Sequence, residues 1–229
     1  MATDSVERVA GGAGRPVRSP EDEVRGYYET LLERLPWTEP SRRVETLGLT
    51  SCYSGEGVST VAAELAVTAA GHGHRRVLLV DVNLARPSAD RAFGVELQPG
   101  LAEVLSDPDR LPAAIRPTSV AGLFVLAAGK PDGSPAEVLD SAAVADLIRR
   151  LKTDFDLVVF DLPAAGQGGS AARLAALLDG LLLVVEAERV RWEVAQRTSE
   201  LLRRGHVHLL GAVLNKRRQH VPNWLYRTL

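Results

Sequence analysis

One twelve-residue segment, residues 49–60, constrains the fold of this chain more than any other. It follows an apolar run, contains Gly55 and Gly57, and leads into a helix-like stretch at residues 61–69. This order of strand, glycine loop and helix is the context of a phosphate-binding loop, in which backbone N–H groups wrap nucleotide phosphates. The segment therefore predicts a nucleotide-binding α/β fold.

The same loop lacks a residue on which its chemistry usually depends. In such loops a lysine reaches the β- and γ-phosphates, and the Ser or Thr after it binds Mg²⁺ through its hydroxyl. Here Val58 stands at the lysine position, and Ser59, a predicted Mg²⁺ ligand, follows it. The residues predicted to bind the nucleotide in this loop are Gly55, Glu56, Gly57, Val58, Ser59 and Thr60.

Composition limits the classes of protein to which the chain can belong. Its 229 residues suit one α/β domain, or one domain with a short arm. A net charge of −2 and an aromatic content of 5% argue against a nucleic-acid partner. The single cysteine, Cys52, excludes an internal disulfide and favours the cytoplasm. No apolar stretch approaches the ~20 residues of a membrane-spanning helix, so no direct membrane span is predicted.

The pattern along the chain predicts three segments. Residues 1–20 are polar and lack the apolar core of a signal peptide, which predicts a disordered arm. Residues 21–40 predict a helix (21–35) and a linker, and residues 41–229 predict the phosphate-loop domain. Strands are predicted at residues 43–50, 76–81, 122–127, 155–161, 181–186 and 208–215, and further helices at 100–105, 135–153 and 190–204. This alternation predicts a mostly parallel sheet between two helical layers, an α/β/α sandwich.

Polar side chains follow two of the predicted strands, at the edge where parallel sheets bind ligands. Asp161 follows four apolar residues and is predicted to hold Mg²⁺ as a Walker B carboxylate. Asp81 is predicted to orient a water or to accept a hydroxyl proton, with Asn83 close by. A lone aspartate more often caps a following turn. Their position behind a phosphate loop favours the catalytic interpretation for both.

Several segments, in order, resemble one known family. Residues 78–87 read Leu-Leu-Val-Asp-Val-Asn-Leu-Ala-Arg-Pro, close to that family's Leu-Leu-Ile-Asp-Ala-Asp-Leu-Arg-Arg-Pro. Residues 155–164 resemble its Walker B segment, and residues 134–141 and 211–215 resemble two further segments. The chain is thus similar to the cytoplasmic kinase domain of bacterial tyrosine kinases of capsular and exopolysaccharide synthesis, in the MinD/ParA-like branch of P-loop ATPases.

The resemblance implies a nucleotide-binding site, and this chain departs from the family's pattern at several positions of it. It implies ATP or ADP with Mg²⁺ as cofactors, held weakly or lost, and places Asn215 near the nucleotide base. Val58 replaces the family's lysine and Asn83 an aspartate, so both positions are degenerate. The family's ring-forming Glu-x-x-Arg-x-x-Arg motif is missing. Where the family has a cluster of acceptor tyrosines, this chain has Tyr226 alone.

Three functions follow as hypotheses. The first is a catalytically impaired regulatory partner of a membrane polysaccharide co-polymerase, located in the cytoplasm or at the inner face of the plasma membrane. The second is an active protein-tyrosine autokinase or ATPase, and the third a MinD/ParA-like positioning ATPase. The resemblance also implies a homo-oligomer as one partner of this chain, although the ring motif is missing here. Arg75, Arg76 and Arg86 are the candidates for a substitute charge, and the basic run 216–218 predicts a solvated end.

Overall fold

A computed structural model describes residues 20–35, 43–72, 76–139, 142–167 and 169–217. Residues 1–19 of the predicted arm, the whole predicted linker (36–40), Arg75 and Tyr226 lie outside the described residues. Within the described ranges, no helix combines the length and the apolar character needed to cross a membrane.

The described strands form one seven-stranded sheet in the order β3-β4-β2-β5-β1-β6-β7. Their bounds are β1 Thr46–Ser51, β2 Val77–Asp81, β3 Ile115–Pro117, β4 Leu123–Leu126, β5 Leu157–Asp161, β6 Gly180–Glu186 and β7 Leu209–Asn215. Every neighbouring pair is parallel except β3 and β4, which are antiparallel. The predicted mostly parallel sheet is confirmed.

Helices cover both faces of this sheet. Their bounds are α1 Pro20–Arg34, α2 Val58–Gly71, α3 Ala89–Phe93, α4 Leu101–Ser106, α5 Leu111–Ala114, α6 Pro135–Leu139, α7 Ala143–Asp154, α8 Gly169–Ala175 and α9 Trp192–Arg204. On β5, Val158 and Phe160 belong to the apolar core on the side of α4 and α7. The alternate residues Leu157 and Val159 belong to the core on the side of α1 and α2. Because both faces are buried, the strands are continuously apolar, and the predicted three-layer sandwich is confirmed.

Several elements differ from the sequence prediction, which also lacks the short helices α3, α5 and α8. Strand β3 was not predicted, because it has three residues and ends in Pro117. Its residues are half-exposed or exposed, so they show no alternation of apolar and polar side chains. The single helix predicted over residues 135–153 is wrong, since α6 and α7 are separate helices. Helix α6 packs against α8, whereas α7 packs against β5. The two helices therefore differ in the element against which they pack.

A polar connection joins the start of β1 to the start of β6. Asp179 Oδ2 accepts hydrogen bonds from the backbone N–H of Glu45 (3.0 Å) and of Thr46 (2.9 Å). Lys152 Nζ on α7 donates to Asp179 Oδ1 over 2.9 Å. Burial alone raises the pKa of Asp179, but the hydrogen bonds from Lys152, Thr46 and Glu45 outweigh it and hold that pKa below its usual value.

Replacing Asp179 by alanine is expected to lower the free energy of unfolding by about 2–3 kcal/mol at neutral pH, because it removes the acceptor of four donors: Glu45 N, Thr46 N, Thr46 Oγ1 and Lys152 Nζ. A lowered folded pKa contributes stability above the unfolded value near 4, and that stability is lost as the pH falls through the folded value. Urea unfolding at pH 7 and pH 3 should therefore show the difference from the parent shrinking in acid. Asp132→Ala, at an exposed carboxylate, is the control, and an equal loss in both variants would contradict the prediction.

Candidate functional site

The loop between β1 and α2 has a backbone shape that depends on its glycines. Gly55 and Gly57 have φ angles of +88° and +92°, in the left-handed region. A Cβ on Gly57 would also lie 2.3 Å from Asn215 Nδ2, so no larger residue fits there. Gly57 caps α2, and no side chain caps the helix. The first-turn N–H groups of α2 are thus available to an anion at the positive end of the helix.

The Glu56 side chain connects this loop to the sheet. Its side chain is fully buried, and it accepts hydrogen bonds from Tyr53 N (2.7 Å) and from Glu186 N at the end of β6 (3.3 Å). Burial raises the pKa of Glu56, and the hydrogen bonds from Tyr53 and Glu186 oppose that rise. Glu56, predicted to bind the cofactor, thus fixes the loop to the sheet with its side chain.

An open cleft of about 340 Å³ lies in front of the loop, at the carboxyl ends of the strands. Seven of the residues singled out from the sequence line it together: Gly55, Gly57, Val58, Ser59, Thr60, Asn83 and Asp161. The remaining lining residues are Ser51, Ser54, Leu162, Pro163, Ala164 and Lys216. The loop, Asp161 and Asn83 therefore share one cavity, whereas Glu56, Asp81 and Asn215 support it from outside.

Asp161 is the cleft residue with an unsatisfied buried oxygen. The residue is 3% exposed, and its Oδ1 has no hydrogen-bond partner among the described residues. Burial raises the pKa of Asp161 to about 7, a hydrogen bond from the Ser59 side chain opposes the rise, and the nearby Asp81 carboxylate adds to it. A buried carboxylate oxygen without a donor suits a hard cation. Asp161 and Ser59 thus fit the predicted Mg²⁺ ligands.

Asp81 is paired in register with Asp161 across β2 and β5, but its oxygens are occupied. Asp81 Oδ1 accepts from Asn83 N (3.0 Å), and Oδ2 accepts from Ser88 N (2.8 Å) and Ala89 N (3.0 Å). Burial raises the pKa of Asp81, and these backbone hydrogen bonds oppose the rise. Asp81 therefore shapes the turn that brings Asn83 to the cleft.

Residues at the end of β7 contact the loop directly. Asn215 Nδ2 donates to Glu56 O over 2.9 Å, so this amide group is engaged with the loop. Lys216 Nζ donates to Gly55 O over 2.7 Å and contacts Glu186 Oε2 at 3.2 Å. Lys216 is exposed, as the predicted solvated run requires, but the sequence pattern did not predict this contact with the loop. It was missed because a lysine after a strand matches no motif, although its place directly after Asn215 was a signal.

The described arginines proposed as substitute charges do not line the cleft. The Arg76 guanidinium lies over the rings of Phe124 (5.4 Å) and Phe155 (5.2 Å), beside the opposite end of β2. Arg86 is exposed.

No group of three or more His, Cys, Asp or Glu side chains in the described ranges could hold a metal alone. Magnesium is commonly bound by one or two carboxylates together with substrate phosphates and water. Asp161 with the Ser59 hydroxyl is compatible with that arrangement.

Comparison with known proteins agrees with this geometry. The family described as ParA, NUBPL iron-transfer P-loop NTPase, matches residues 43–225. The tyrosine-protein kinase YwqD of Bacillus subtilis (strain 168) is 32% identical over 188 residues, which are 82% of this chain and 79% of YwqD. The crystal structure of the chimerical protein CapA2B2 superposes with a TM-score of 0.80 at 27% identity, covering 88% of this chain and 87% of that one.

A more distant structure shares the fold. The septum site-determining protein MinD of Pyrococcus horikoshii OT3, solved with Mg-ADP, has a TM-score of 0.64 at 24% identity, covering 80% of this chain and 76% of MinD. This chain's own phosphate loop, its buried Asp161 and its mostly parallel sheet agree with a P-loop NTPase family. The chain belongs to the ParA-like family of P-loop NTPases and, within it, to the group of bacterial tyrosine-protein kinases.

Proposed function

We propose that this chain is a nucleotide-binding, catalytically impaired tyrosine-kinase-like protein of capsular or exopolysaccharide biosynthesis. It acts in the cytoplasm, at the inner face of the plasma membrane, as a regulatory partner of a membrane polysaccharide co-polymerase. The observation that carries the proposal is Val58, an apolar residue that lines a cleft with the glycines, Ser59 and Asp161 of a phosphate site.

The residues of the cleft support retained nucleotide binding. Its volume of about 340 Å³ falls in the range of small-ligand sites. The start of α2, which no side chain caps, offers N–H groups to phosphate oxygens, while Ser59 and Asp161 offer two oxygens to Mg²⁺. Bound Mg-ATP would supply the transferable phosphoryl group and the charge of the metal. The Mg-ADP complex of MinD, which shares the fold, is in line with such a ligand.

Impaired transfer follows from what Val58 cannot do. Phosphoryl transfer depends mainly on positioning and on charges aimed at the transferring group. Backbone amides bind phosphate in the ground state, but an apolar side chain adds no charge where negative charge develops. The rival hypothesis, an active autokinase or ATPase, is favoured by the presence of Ser59 and Asp161 in the cleft.

Turnover and partner binding together test the proposal. ATP hydrolysis and tyrosine phosphorylation by the full chain with Mg²⁺ are expected to be about a hundredfold below those of YwqD, measured in parallel, because one charge-assisted contact is missing. The chain is also expected to co-purify with the co-polymerase of its host from detergent-solubilised membranes. Turnover equal to that of YwqD would contradict the claim of impaired catalysis. Equal binding to membranes that lack the co-polymerase would contradict the claim that the co-polymerase is the partner.

A further inference from the structure

Lys216 is held against the phosphate loop by its backbone. Its φ angle is +55°, a conformation uncommon for residues other than glycine. Its N–H donates to Asn215 Oδ1 (2.9 Å), and Asn215 Nδ2 in turn donates to Glu56 O (2.9 Å). A strained residue is kept only where its surroundings determine it. The end of β7 is thus built so that the residue after Asn215 lies over the loop.

The Lys216 side chain reaches the part of the loop next to the missing charge. Its Cε lies 3.8 Å from the position that a Cβ on Gly57 would occupy, directly before Val58. Its Nζ hydrogen-bonds to Gly55 O over 2.7 Å, and the side chain remains 47% exposed. Lys216 therefore brings a cation to the same cleft and the same loop in which the valine provides none.

Lys216 shares its acidic partner with a second cation. Glu186 Oε2 is shared by Lys216 Nζ (3.2 Å) and Arg189 (2.8 Å). Arg189 also interacts with the buried Glu56 carboxylate, so Glu186 is not the one acidic group available to it. Lys216 uses two of its three N–H donors, on Gly55 O and Glu186, so a third donor remains for an anion.

We propose that Lys216 supplies, from the end of β7, the phosphate-binding cation that the loop itself lacks at Val58. The ligand is a nucleoside di- or triphosphate, and the contact is with its β-phosphate, so the transferring γ-phosphate still lacks the charge that a lysine at position 58 would supply. The inference rests on the nucleotide binding of the proposed function. The unsatisfied Oδ1 of Asp161 on the same cleft is a second feature pointing to a Mg²⁺-bound ligand there.

Isothermal titration of the full chain with ADP, ATP and adenosine, each with Mg²⁺, tests the role of Lys216. Lys216→Met, which keeps the length and removes the charge, is expected to weaken ADP and ATP about tenfold, as for a lost hydrogen bond to a charged group. Adenosine binding should not change, because adenosine carries no phosphate. Arg217→Met, one exposed cation further along, is the matched control and should leave all three affinities unchanged. Lys216→Arg should keep most of the affinity.

A second background separates a phosphate contact from a support of the loop. If Lys216 replaces the loop lysine, Val58→Lys should make it dispensable, and the loss caused by Lys216→Met should shrink in the double variant. An equal loss in both backgrounds, or a loss for adenosine as well, would overturn the inference. If Lys216→Met binds ADP as tightly as the parent, the role of Lys216 is wrong but the proposed function stands. If the parent itself binds no ADP, both the role of Lys216 and the proposed function are wrong.

Discussion

Replacing Val58 by lysine is expected to raise ATP turnover by about a hundredfold, since a charge-assisted contact in the transition state contributes roughly 2–4 kcal/mol. Val58 is the first residue of α2 and lines the cleft. A charge placed there faces the same cavity as Ser59 and Asp161, which are already present to hold Mg²⁺.

The structure accommodates this change. Val58 is half-buried and packs against the apolar core between α1, α2 and the sheet. A lysine can leave its methylene stem on such a surface while its ammonium extends to the polar cavity. Gly57 and Asn215, which set the start of the helix, are not altered by the substitution. The gain should therefore appear without a large loss of stability.

The control for this prediction is Val58→Met, which adds length without charge. Turnover and affinity for ATP should be measured for the parent and both variants. Turnover is expected to rise more than affinity in Val58→Lys, because the added charge acts where negative charge develops, and Lys216 already lines the cleft. A parent as active as Val58→Lys would contradict the impairment. Equal gains in both variants would show that length, and not charge, limits the site.

The parts of the site that the sequence predicts are those set by local pattern. Glycines at positive φ, a helix after the loop and an aspartate closing a buried strand all follow from neighbours in the chain, so the loop and Asp161 were predictable. Lys216 was not, because its contact with Gly55 joins residues 161 positions apart.

The behaviour of Glu56 and Asp81 also depends on distant or turn geometry. Glu56 reaches Glu186 N across 130 positions, so the motif shows its presence but not which way it points. Asp81 accepts hydrogen bonds from three backbone N–H groups of the turn after β2. The spacing of apolar residues in the sequence does not predict the shape of that turn. Its carboxylate type was predictable, whereas the occupation of both its oxygens was not.

Replacing Asp161 by asparagine is expected to stabilise the nucleotide-free chain by about 2–4 kcal/mol at pH 8, and to have little effect at pH 4. The pKa of Asp161 is raised to about 7 by burial, above the unfolded value near 4. Between these values the folded chain keeps a proton that the unfolded chain releases. Raising the pH therefore favours unfolding, and the full cost is reached above pH 7.

Asparagine suits this position because Asp161 Oδ1 has no hydrogen bond to lose among the described residues. The amide nitrogen can face the cleft, while the remaining oxygen can still accept from Ser59. Asp81→Asn is the matched control: there both oxygens accept backbone N–H groups, so the exchange removes an acceptor and should destabilise the chain. Urea unfolding of the three proteins at pH 4 and pH 8, with EDTA, gives these differences directly.

A buried carboxylate that weakens the free protein is retained where it serves a ligand. Asp161→Asn should therefore lose the thermal stabilisation that Mg²⁺ with ADP gives the parent, although its own melting temperature at pH 8 is higher. A variant that is more stable without ligand but is no longer stabilised by Mg²⁺ with ADP would identify a carboxylate that binds the ligand. A carboxylate with a packing role alone would not give this combination. If Asp161→Asn were less stable than the parent at pH 8, the carboxylate would be satisfied in the free chain, and its assignment to Mg²⁺ would fail.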